Sequence, residues 1–170
     1  MHVKTVSTGR YTAALPPLYA RLKRIAGRQL SGGRAPATLS ATVLVHEAYL
    51  RVAGGGGLEA YEETHLISLL ARSMRQVLID YCRAKASSKR RGVQVDIDEV
   101  EIGEAADPEA LLVLEDSLRA LEAHEPRLAR VLELRVLAGL DSAQIADHLG
   151  VDQRTVQRDW VRARQWLSGS

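Results

Sequence analysis

Apolar residues recur every three or four positions along most of this chain, and that periodicity restricts it to helices. Leu66, Leu70, Met74, Val77 and Tyr81 follow at spacings of 4, 4, 3 and 4, which places all five on one face of a long amphipathic helix. A segment over Ala13–Leu30 sets Leu15, Leu18, Leu22, Ile25 and Ala26 on one side, with Arg21, Lys23, Arg24 and Arg28 largely outside it. Another, over Thr38–Val52, stacks Val45, Tyr49 and Val52. Ser31-Gly32-Gly33 and the run Gly54–Gly57 break these helices apart. Four more helices are predicted over about 109–122, 127–137, 142–149 and 153–167, with Glu125-Pro126, Gly139 and Gly150 between them. A short Val93, Val95, Ile97 alternation is the one strand-like pattern. The expected fold class is all-α.

Charge divides the chain where periodicity does not. The net charge of +2, from 23 basic and 21 acidic residues, averages segments of opposite sign. Arg72–Arg91 carries seven basic residues (Arg72, Arg75, Arg83, Lys85, Lys89, Arg90, Arg91) against the single acid Asp80. Asp96–Glu109 carries seven acids and no base. The acidic stretch is expected to be a linker over 93–108, joining a domain at 1–92 to one at 109–170. Asp107 is placed to cap a new helix with Pro108 in its first turn. At 46% hydrophobic the chain can fill a core. It has no apolar run of 18 residues and no apolar core to its first eleven, so neither a membrane span nor a secretory signal is expected. The single Cys82 excludes an internal disulfide and a multi-cysteine metal cage, and a reducing cytoplasm is the expected location.

The most specific local signal is Asp141 to Trp160. Ile145, Ala146 and Leu149 form the apolar face of a short helix, and Gly150 permits the positive φ of a tight turn. Val151 fills the corner, and Asp152 can cap the next helix. On that helix Val156, Trp160, Ala163 and Leu167 form one stripe, whereas Arg154, Arg158 and Arg162 share another face beside Gln153, Thr155 and Gln157. This is a helix-turn-helix whose second helix offers the donors suited to guanine and adenine edges and to phosphate. Trp160 and Trp166 are expected in packing rather than base stacking. In such a chain the basic helix Arg72–Arg91 also becomes a candidate DNA surface, although with no Phe at all the chain offers little for a single-strand stacking platform.

Enzymatic features do not assemble. His46-Glu47 lacks the second histidine of a His-Glu-x-x-His zinc site, and the five histidines (2, 46, 65, 124, 148) have no ligand spacing. His46 is expected in helix packing or at an interface. Gly54–Gly57 has no following Lys-Ser/Thr to bind phosphate, and Cys82 has no redox partner in the sequence. No catalytic residue, cofactor or metal is expected.

Four stretches in order, Tyr19–Ala26, Val45–Val52, Ala71–Ala84 and Leu132–Trp160, carry a resemblance to the extracytoplasmic-function (ECF) sigma factors of bacterial RNA polymerase, over about residues 12–167. The resemblance implies sigma region two on 12–92, region four on 109–167, and a linker that threads through the polymerase. It further implies recognition of minus-ten and minus-thirty-five promoter elements without catalysis. Gln153, Arg154, Thr155, Gln157, Arg158 and Arg162 would then serve the upstream element, and Arg75, Arg83, Lys85, Lys89 and Arg90 the downstream element and phosphates. Thr42, Val45, His46 and Glu47 would contact the core polymerase. Only three residues follow Leu167, so a fused sensing domain is not expected.

One departure stands out. The family's acidic box, which docks on a basic coiled coil of the β′ subunit, would align with Ser40, Ala41, Thr42 and Val43. Acids are absent there and hydroxyls stand at two positions, with Thr38 close by. This pattern resembles the subgroup switched on by Ser/Thr protein kinases. A phosphate on Thr42, or on Thr38 or Ser40, would restore negative charge near a helix N-terminus. The expected partners are core polymerase, promoter DNA and such a kinase, with no membrane. Two rival readings are a stand-alone helix-turn-helix repressor with a dimerising N-terminal bundle, and a helical adaptor that binds no DNA.

Overall fold

The computed structural model of the chain describes residues 9–31, 39–54, 61–90 and 108–168. Among these the secondary structure is entirely helical: α1 (Gly9–Ser31), α2 (Ala41–Ala53), α3 (Glu63–Arg90), α4 (Pro108–His124), α5 (Pro126–Val136), α6 (Ser142–Leu149) and α7 (Gln153–Ser168). The four C-terminal helices lie within two residues of their expected bounds. The acidic stretch through Asp107, including the expected cap and the Val93–Ile97 alternation, lies outside the described residues.

In the N-terminal half, α1 and α2 pack on the long α3. Leu22, Ile25, Leu44, Leu70 and Met74 are buried between them, each worth about 1.5–3 kcal/mol relative to exposure. Partly buried polar contacts bridge the helices: the Gln29 side-chain amide donates to the Ala71 carbonyl at 3.1 Å and the Ser73 hydroxyl to that of Ala48 at 3.3 Å. The expected stripe on α2 needs correction. Leu44, Val45 and Ala48 are its buried face, and Tyr49 is 48% exposed. The helix starts at Ala41 rather than Thr38, because Ser40 is extended and its hydroxyl accepts from the Val43 amide at 3.2 Å, a serine N-cap.

In the C-terminal half, α4, α5 and α7 enclose Leu118, Leu121, Leu128, Leu132 and Ala163. The two halves also meet. Leu66, Ile67, Leu70 and Met74 belong to the same buried cluster as Val131, Leu134, Ile145 and Val156. Gly139, at φ +66°, lies where α5 leads into α6, and an added Cβ there would collide with the Arg28 guanidinium from α1.

Candidate nucleic-acid interface

The helix-turn-helix is built as its residues dictate. Asp141 caps α6 by accepting from the Gln144 amide at 2.9 Å, while the Gln144 side chain accepts from the Asp141 amide at 3.1 Å. This reciprocal capping box was legible as Asp-x-x-Gln and went unread in the sequence. Gly150 closes α6 in the left-handed conformation at φ 65°, where a Cβ costs roughly 1–2 kcal/mol. Asp152 then starts α7, accepting from the Thr155 amide and from its hydroxyl, both at 2.8 Å. Those bonds hold the Asp152 carboxyl below its usual range. Thr155 is therefore engaged in the cap, and its half-buried side chain is less available to DNA than expected.

The outer face of α7 is open to solvent at most of the expected positions. Gln153, Arg154, Gln157, Arg158 and Arg162 are all exposed. Arg154 and Arg158 make no ion pair among the described residues, whereas Arg162 donates to Glu125 at 2.9 Å. On the inner face Val156 and Ala163 are fully buried, and Trp160, Trp166 and Leu167 pack against the cores as partly buried residues. Arg135 lies 5.1 Å and Arg164 5.9 Å from the centre of the Trp160 ring, two cation–π contacts on a partly buried indole.

Asp159 is a buried acid that periodicity does not reveal. It is 0% exposed, and Arg127 at the start of α5 grips it, with Nε donating to one carboxylate oxygen at 2.5 Å and Nη2 to the other at 3.3 Å. The hydrogen bond to Asp159 raises the Arg127 pKa further. A bidentate pair of this kind adds geometric specificity, and it ties α7 to the start of α5. No spacing rule links residues 32 apart, and an acid among arginines reads from sequence as one more surface charge.

The basic half of α3 is presented differently. Arg83 is exposed. The helix continues through Lys85, Lys89 and Arg90, whose side chains lie outside the described residues. Arg75 departs from its expected surface role: its side chain is only 12% exposed and forms ion pairs with Glu115 of α4 and, at 2.7 Å, with Glu133 of α5. On α2 the expected docking residues separate. Thr42, His46 and Glu47 are exposed, whereas Val45, at 5%, lies beneath them in the core. The first turn of α2 contains no acid. Ser40 is exposed, and Thr38 lies outside the described residues. Among the described residues no cluster of three or more His, Cys, Asp or Glu is placed to hold a metal ion, and no helix is long and apolar enough to cross a membrane.

The order and geometry of these helices agree with a comparison of the whole chain: the family model described as ECF sigma factor matches residues 3–170. The chain belongs to the ECF sigma factor family. This sigma factor accordingly acts in transcription initiation, in a family that works by binding core RNA polymerase and promoter DNA and is not enzymatic. No curated protein and no solved structure matches the chain.

Proposed function

We propose that this sigma factor places its polymerase on promoters by reading the upstream element with α7 and the downstream element with the basic half of α3, and that phosphorylation at the start of α2 licenses polymerase docking. The exposed face of α7 carries the first part. Arg154 and Arg158, one turn apart and free of ion pairs among the described residues, lie on a helix held by its own cap and by the Arg127–Asp159 clamp. Such guanidiniums can bind guanine edges bidentately or neutralise phosphate.

The licensing step is supported by the exposed Thr42 beside the Ser40 cap, on a first turn without any acid. A phosphate there adds about −1.5 to −2 charge and three strong acceptors at the positive end of the α2 dipole. That would supply to a basic polymerase surface the charge that the sequence lacks. Thr42 is the better candidate because the Ser40 hydroxyl already serves as the cap. The test is binding of core polymerase by the unmodified chain, by the chain phosphorylated by a Ser/Thr kinase, and by Thr42→Ala after the same treatment. Tight binding by the phosphorylated chain alone is expected. Equal binding by all three would remove the licensing step and leave the promoter-reading part standing.

A further inference from the structure

The outward side of α3 carries a line of polar residues one turn apart. Gln76, Asp80, Arg83 and Ser87 follow at spacings of 4, 3 and 4, which sets them on one face, with Val77, Leu78 and Cys82 buried behind them. Asp80 is the one acid of the basic stretch Arg72–Arg91, and it stands on this face with its side chain 44% exposed. A bare carboxylate there would repel phosphate. Both of its oxygens are occupied instead. Arg51, from the last turn of α2, donates to one at 2.8 Å, and the Gln76 side-chain amide donates to the other at 3.0 Å. Burial raises the Asp80 pKa, but these two hydrogen bonds and the charges of Arg51 and Arg83 outweigh it and hold the carboxyl below its usual range. Asp80 is thus an anion wrapped by donors from two helices.

We propose that Asp80 is a positioning residue: it holds Arg51 and Gln76 on the outward face of α3, and Arg51 thereby adds a contact from α2 to downstream promoter DNA, at an acceptor such as a purine edge or a phosphate oxygen. This rests on the reading of α3 as the downstream promoter helix. The Arg51 side chain is 43% exposed and pairs with Asp80 through one Nη, so most of its five N–H donors remain free for a ligand. Gln76 is exposed and keeps its own carbonyl oxygen and a second N–H. Arginine and glutamine are the side chains whose forks match guanine and adenine edges, and arginine also neutralises phosphate. Arg83, exposed one turn further along, extends the same surface. Joining α2 to α3 is a weak reason to place an acid here. A half-exposed ion pair contributes little to stability, and Leu44, Ala48, Leu70 and Met74 already bury the contact. Charge counting passed over Arg51 because it subtracts Asp80 from the basic stretch and gives it no partner 29 residues away.

The test uses holoenzyme assembled from core polymerase and the full chain in its polymerase-binding form, with a promoter fragment selected by that holoenzyme. Arg51→Ala should weaken promoter binding about tenfold and leave core binding unchanged. Asp80→Ala separates the two roles an acid could have. Removing a bare acid from a DNA-facing surface strengthens binding, whereas removing a positioning residue should weaken it several-fold. Asp80→Glu should restore part of that loss, and in an Arg51→Ala background Asp80→Ala should cost nothing further. Tighter binding by Asp80→Ala, or an undiminished loss in the Arg51→Ala background, would overturn the positioning role. Loss of core binding by Arg51→Ala, with the DNA affinity of assembled holoenzyme intact, would make the end of α2 a polymerase contact and overturn the proposal. Among single-base promoter variants, a loss confined to one base pair assigns Arg51 to a base edge. A uniform loss, with the salt slope lower by about one, assigns it to a phosphate. Arg83→Ala tells failure of this proposal from failure of the reading beneath it. Weakening by Arg83→Ala with none by Arg51→Ala rejects the Arg51 contact alone, and no effect of either leaves neither standing. Should Asp80→Ala not fold, Asp80→Asn takes its place in the same comparison.

Discussion

α3 and α7 are both basic helices, and they hold their arginines in opposite ways. On α7 Arg154 and Arg158 face solvent without an ion pair among the described residues, and of the outer three Arg162 alone pairs, with Glu125. Two nearby acids serve the scaffold: Asp152 caps the helix and Asp159 anchors it to Arg127. On α3 the acids of the other half reach the cation itself, and Arg75 is neutralised by Glu115 and Glu133. The lesson is that a basic stretch becomes a surface only where the acids that could neutralise it are used elsewhere. Arg154 and Arg158 on the outer face of α7 stand without an ion pair among the described residues, whereas Arg75 of α3 is held by two carboxylates.

The largest effect separating the two helices is on stability. Arg75→Ala leaves two nearly buried carboxylates with only Arg119 and Arg130 to compensate, and should cost about 2–3 kcal/mol. Arg158→Ala removes an exposed charge with no ion pair among the described residues and should change stability by no more than about 0.5 kcal/mol. Urea denaturation of the two variants checks this directly. Equal midpoints would erase the distinction between the helices.

The order reverses when promoter binding is measured with polymerase present. Arg158→Ala should lose about 1–3 kcal/mol of discrimination at one base pair of the upstream element, a tenfold to hundredfold effect confined to that position. Lys89→Ala should instead weaken binding to all sequences alike and lower the salt dependence by about one unit of slope. Affinities for single-base promoter variants, titrated over a range of salt, distinguish the two. A uniform loss in Arg158→Ala would make α7 a phosphate binder rather than a reader.

Local rules account for what the sequence made legible. The seven-helix order, the bounds of α4 to α7, the left-handed Gly150 and the Asp152 cap all depend on neighbours within one or two turns. Tyr49 was misplaced because an aromatic scores as apolar wherever it stands, and only the approach of α3 shows that Ala48 rather than Tyr49 faces inward. The site divided along the same line. The outer face of α7 follows from its 3.6-residue period, whereas Arg75–Glu115, Arg75–Glu133 and Arg127–Asp159 join residues 40, 58 and 32 positions apart. Charge counting sees those residues as solvated ions. It has no means of showing which ions neutralise one another.

A weaker handle on the same contrast lies in His148, which sits on α6 against the start of α3. It is partly buried, its ring is 5.5 Å from that of His65 of α3, and Arg130 of α5 approaches within 3.3 Å. Burial first, and then the charges of Arg130 and His65, hold its pKa below the ordinary value. Asp147 and Glu62 line the same cavity and do not reverse that direction. The sign follows by linkage. As pH falls through about 6.5, the unfolded chain takes up the proton before the folded one does, so folding weakens progressively until the pH passes below the depressed value. The urea midpoint should therefore drop slightly between pH 7.5 and roughly pH 5.5, and His148→Gln should flatten that part of the profile. Among the described residues no histidine lines the outer face of α7. The amide signals of Arg154 and Arg158 should stay in place over the same range while those around His148 move, and a shift spread evenly over both regions would mean that acid loosens the whole chain rather than the surroundings of His148.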